Sequence, residues 1–93
     1  MMYYSIHGEI SYKDSEQVRI ITSGIEWEII TTLFSSNDLP SPGSKGRMFT
    51  YLYHRDDQMK LFGFSTEDEK QVFLDLLKVN GIGPKQAVKI LSG

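Results

Sequence analysis

From Tyr3 to about Phe62, apolar residues recur mostly at every second position, and from Phe64 onward they recur at helical spacing. The clearest alternation is "IEWEI", where Ile25, Trp27 and Ile29 share one face and Glu26 and Glu28 the other, as in a half-buried strand. "QVRIITS" before it reads as its partner, with Gly24 in a short connection that predicts a tight hairpin. Upstream, "YYSIHGEISY" is a further β-rich run, joined to that partner by the polar "KDSE". Ser35 to Gly46, "SSNDLPSPGSKG", gathers Ser, Pro, Gly and Asn and is expected to be a loop, with one helical turn after Ser35. In "RMFTYLYH", Phe49, Tyr51 and Tyr53 lie on one face and Met48, Thr50 and Leu52 on the other. Both faces are apolar, so this strand is expected to be covered on both sides. "MKLFGF" follows as a fifth strand.

Five short strands with a longer interruption before the fourth suit a small closed barrel of the oligonucleotide-binding (OB) type. After Phe64 the period changes. "STEDE" supplies Ser65 or Thr66 as an N-cap with an acid three residues on, and places negative charge in the first turn, where the helix dipole favours it. Val72, Phe73, Leu76 and Leu77 form the stripe of an amphipathic helix running to about Val79. Asn80 and Gly81 end it, Pro84 suits the first turn of a second helix, and Ala87, Val88, Ile90 and Leu91 give that helix its apolar side. The expected class is α+β: a five-stranded barrel domain over residues 1–63, then a helix-hairpin-helix over residues 64–93.

Ninety-three residues, 40% hydrophobic and 24% charged, are consistent with one small folded unit and its appendage. No run approaches the roughly 18 apolar residues of a membrane-spanning helix, and "MMYYSIHGEI" lacks an export signal, so a cytoplasmic location without membrane contact is expected. The absence of cysteine excludes a disulfide framework and thiolate zinc sites. At a formal net charge of −2 the chain is not a broadly basic nucleic-acid binder, so any polyanion must meet a local patch.

"NGIGPKQAVKILSG" offers such a patch. Glycines at 81 and 83 permit a sharp bend and close approach to the amides. The free N–H groups that begin the second helix carry the positive end of its dipole, and Lys85 adds a charge beside them. An alternative is a plain helix C-cap followed by a proline-started helix. Ile82 favours the first reading, because an isoleucine between two glycines suits a hairpin packed between helices. This order of residues resembles the helix-hairpin-helix motif of DNA-binding proteins, which implies contact with the backbone rather than with bases. In "YHRDDQM" the adjacent Asp56 and Asp57 fall in the turn between the fourth and fifth strands. Aspartate is an ordinary turn residue, but paired carboxylates close to phosphates also repel them.

Together, the barrel pattern, "HRDDQMKLFGF", the capped helix and "NGIGPKQAVKILSG" resemble the N-terminal part of the RuvA family, bacterial proteins that recognise Holliday junctions in recombination and repair. The resemblance implies a homotetramer that holds four-way junction DNA open, with an acidic pin from each subunit, here Asp56 and Asp57, at the crossover. Arg55 would contact a phosphate beside the pin. Asn80, Gly81, Ile82, Gly83 and Lys85 would grip the duplex arms. The family's partners are a RuvB-type ATPase and a RuvC-type resolvase. The RuvB contact is not expected of this chain, which stops before the family's second helix-hairpin-helix and its C-terminal domain. No nucleotide-binding loop is present, so the chain is expected to be non-catalytic and free of cofactors and metals. The chain departs from the family where it lacks basic residues before Gly8 and where Glu26 takes a usual glycine position. Two other readings stay open: a single-strand binder stacking bases on Trp27, Phe49, Tyr51 or Tyr53, and an oligomerisation core with little DNA binding. His7 and His54 stand apart from any metal-ligand or nucleophile spacing, which leaves an enzyme without support.

Overall fold

The computed structural model describes residues 4–93. Its strands are β1 (Ser5–Lys13), β2 (Gln17–Thr22), β3 (Ile25–Ile30), β4 (Lys45–Arg55) and β5 (Gln58–Phe64), and they close into a barrel in the order β1-β2-β3-β5-β4. Helix α1 (Leu33–Asp38) joins β3 to β4, and α2 (Glu67–Leu77) and α3 (Pro84–Leu91) follow the barrel. This is the expected α+β architecture, a five-stranded OB-type barrel with helices appended. Tyr3, which the alternation places in the first strand, lies outside the described residues.

Closure depends on two strands that serve more than one neighbour. The first half of β1 pairs with β4, Ser5 opposite Phe49 through Glu9 opposite Lys45. Its second half pairs with β2, with an irregularity between Ile10 and Tyr12 that bends the strand. On the far side β3 meets β5 in parallel through one registered pair, Ile30 and Phe62. The β2–β3 hairpin turns tightly through Ser23 (φ 51°) and Gly24 (φ 79°), both left-handed, which matches the right-handed twist of the flanking strands.

The chain packs two apolar layers back to back. Ile6, Ile10, Val18, Ile20, Ile29, Met48 and Leu61 fill the barrel. Outside it, Phe62 and Phe64 of β5 join Phe73 of α2 and Ala87 of α3, all buried. Alternation along β5 sends Leu61 inward and Phe62 and Phe64 toward the helices. The two apolar faces of β4 divide the same way, with Met48 and Thr50 inside and Tyr51 and Tyr53 under the helices. The covering expected for this strand is therefore observed.

Three expectations are corrected. Helix α1 starts at Leu33, before the Ser35–Gly46 segment read as a loop, because Thr32 caps it: its Oγ1 accepts the Ser35 N–H at 3.0 Å. Ser35 and Ser36 are buried yet satisfied, Ser35 Oγ by the Glu69 carboxylate and Ser36 Oγ by the Asp14 carbonyl at 2.5 Å. Lys13 donates to the Ser36 and Leu39 carbonyls at the end of α1. In α2, Leu74 rather than Val72 accompanies Phe73, Leu76 and Leu77 in the packed stripe; Val72 is exposed, as is Ile90 in α3. Helix α2 also stops at Leu77, two residues before the expected Val79, with Lys78 as its C-cap. The apolar face of β3 is buried only at Ile29, since Ile25 lies at the exposed tip of the hairpin.

Candidate nucleic-acid interface

Thr66 is the cap that starts α2: its side chain accepts the Glu69 N–H at 3.1 Å, and Glu67, Asp68 and Glu69 occupy the first turn. After Leu77 the chain makes a short hairpin. Gly81 takes φ 86°, a conformation that costs a side-chain-bearing residue roughly 1–2 kcal/mol. Ile82 turns inward and packs on the Phe62, Phe64, Phe73 and Ala87 cluster, so the hairpin is fastened to the core by its apolar residue.

Gly83 then caps α3. Its φ of −92° is open to any residue, and a Cβ placed there would meet nothing within 4 Å. Neither backbone conformation nor packing within the chain demands glycine here. No side chain caps α3; Pro84 opens it and the Gly83 carbonyl receives the Ala87 N–H at 2.9 Å. Among the described residues, the N–H groups of Gly81, Gly83, Lys85 and Gln86 have no hydrogen-bond acceptor. The Ile82 N–H differs: it donates to the Val79 carbonyl at 3.2 Å, closing the turn. The expectation of an outward Ile82 amide is thus corrected, for the packing that draws its side chain inward also commits its N–H. Asn80 and Lys85 are exposed on the same hairpin.

Asp56 and Asp57 form the turn between β4 and β5, closed by the Arg55–Gln58 pair. Asp56 adopts φ 54°, which aspartate tolerates better than most residues. Arg55, Asp56 and Asp57 are all exposed, and none is ion-paired among the described residues. The turn therefore presents two uncompensated carboxylates beside a free guanidinium.

The sequence reading missed Lys60. Alternation along β5 puts it on the face of Phe62 and Phe64, toward the helices, and there it meets Lys85. A hydrogen bond with the Lys85 amine, followed by partial desolvation and repulsion from the same group, holds the Lys60 pKa below the ordinary lysine value. Three residues separate Lys60 from Asp57, about 10 Å of extended chain. The β4–β5 hairpin thus carries negative charge at its tip and positive charge at its base.

The sequence model described as the RuvA N terminal domain matches residues 2–63. The chain belongs to that family. Its similarity to curated RuvA relatives continues past the barrel. It is 48% identical over 92 residues to the Holliday junction branch migration complex subunit RuvA of Treponema denticola, covering 99% of the chain and 46% of that relative. For the protein of the same name in Treponema pallidum (strain Nichols) the identity is 47% over 91 residues, with 98% and 40% covered. For that of Amoebophilus asiaticus it is 44% over 87 residues, with 94% and 45% covered. The chain spans somewhat less than half the length of these RuvA relatives. No helix among the described residues is long and apolar enough to cross a membrane.

Proposed function

We propose that the chain is the part of a RuvA-type subunit that binds four-way junction DNA by its backbone, without sequence preference and without catalysis. Residues 1–63 act as the barrel domain and residues 64–93 as a helix-hairpin-helix attached to it. The observation that carries this reading is the open start of α3: unpaired N–H groups at Gly83, Lys85 and Gln86, with no Cβ at 83 to keep a phosphate away. Gly81 and Asn80 shape the approach, and Ile82 holds it rigid from within. At the other site Asp56 and Asp57 repel phosphates and so prise strands apart at the crossover, while Arg55 steadies the phosphate next to them.

In the assembled state four copies surround one junction, and branch migration is driven by a RuvB-type ATPase, with a RuvC-type resolvase acting on the same DNA. The names of the curated relatives support this role. The single-strand reading loses ground because Tyr51 lies edge-on to Phe73 at 5.6 Å and Tyr53 edge-on to Phe62 at 6.5 Å, beneath the helices rather than free to stack bases. Arg47 covers the Phe49 ring at 4.7 Å.

A gel-shift titration of the chain against a four-way junction and a linear duplex of equal length, at two salt concentrations, tests the proposal. Tighter binding to the junction that weakens with salt is expected. Preference for single strands, or no binding to either DNA, would overturn it.

A further inference from the structure

Lys60 and Lys85 bring two amines into contact across the joint between barrel and helices, one from β5 and the other from the first turn of α3. Like charges placed side by side on a surface repel, and chains ordinarily relieve such contacts with a carboxylate. None does so here: among the described residues neither lysine is ion-paired. Glu28 precedes Ile30 by two residues at the β3–β5 seam, as Lys60 precedes Phe62, but it is paired with Arg19 at 3.8 Å. The open N–H groups of α3 add positive potential at the same place. An anion is the missing component.

We propose that Lys60 is a further DNA-binding residue: with Lys85 it forms a two-amine clip that holds one backbone phosphate between the barrel and the hairpin. This rests on the reading of the hairpin as a backbone clamp and extends it to the barrel. A phosphate between the two lysines accepts a hydrogen bond from each and cancels their repulsion. The clip also ties the arm held by α3 to the β4–β5 hairpin whose tip bears Asp56 and Asp57. The depressed Lys60 pKa agrees with an amine lacking its counter-charge in the free protein, and it should rise when DNA binds.

The test compares the chain with Lys60→Gln, Lys60→Arg and Lys85→Gln in binding to a short duplex across a salt series, with thermal melting of each protein. Lys60→Gln should weaken binding roughly fivefold, the upper range for one exposed ion pair, and reduce the log–log salt slope by about one. Lys60→Arg should retain wild-type binding. The melting temperature of Lys60→Gln should stay level or rise, because the repulsion is gone, so lost affinity cannot be ascribed to lost folding. If Lys85→Gln weakens binding while Lys60→Gln matches wild type in affinity and slope, the clip is overturned and the hairpin clamp stands. If neither substitution changes binding, or the wild-type chain binds no duplex, both fall.

Discussion

The two exposed turns of this chain are built alike and charged oppositely. Each places one residue in the left-handed region, Asp56 at φ 54° and Gly81 at φ 86°. The hairpin at 80–83 is fastened by Ile82 to the aromatic layer over the barrel, and it ends in N–H groups that nothing in the chain satisfies. The turn at 56–57 has no side chain in the core and is held only by the strand ladder behind it. A part that grips must be rigid before its ligand arrives, so it is anchored by packing. A part that repels needs only to be carried to its place, and a two-stranded ladder suffices.

This contrast can be broken first at its anchor. Phe73→Ala removes the ring that touches Phe62, Phe64 and Tyr51 beneath the hairpin, and should lower the unfolding free energy by about 3–5 kcal/mol in a urea titration. Equal stability would show that the layer does not anchor the hairpin. Gly81→Val comes next, with roughly 1–2 kcal/mol lost to the left-handed backbone and DNA binding reduced with it. Gly83→Val separates grip from fold: its φ and surroundings accept a side chain, so stability should stay within about 0.5 kcal/mol, while binding to every duplex sequence weakens in a gel shift. Loss of binding to some sequences only would contradict backbone recognition. The mildest change is the double variant Asp56→Asn with Asp57→Asn. Melting should be unaltered and junction binding equal or tighter, since a carboxylate and a phosphate charge ~5 Å apart repel by about 0.8 kcal/mol in water. Clearly weaker binding would remove the pin from the account.

Strands and the site's main turns were legible because their signals are local. Alternation in "IEWEI", the two apolar faces of "RMFTYLYH" and the glycines around Ile82 each report a constraint felt within a few residues. Helix α1 was not legible, because Ser35 and Ser36 look like loop residues until Glu69 from α2 and the Asp14 carbonyl arrive to satisfy them. The outward turn of Val72 and Ile90 follows from where the barrel lies beneath the helices, which periodicity alone does not fix. Lys60 was hidden for the same reason. Its alternation with Phe62 and Phe64 was visible, but its meeting with Lys85 depends on how α3 settles against β5.

The closure of the barrel through a single registered pair, Ile30 with Phe62, has a consequence in time as well as in space. A ladder of many rungs opens slowly, whereas a seam of one rung opens whenever that rung lets go. The ring of Phe62 is held from above by Phe73, so the helical layer acts as the latch on the barrel's weakest joint. Amide hydrogens along this seam should exchange with solvent sooner than those of the β4–β5 ladder. Their protection on adding DNA would report, from inside the molecule, that the hairpin outside has closed on its ligand.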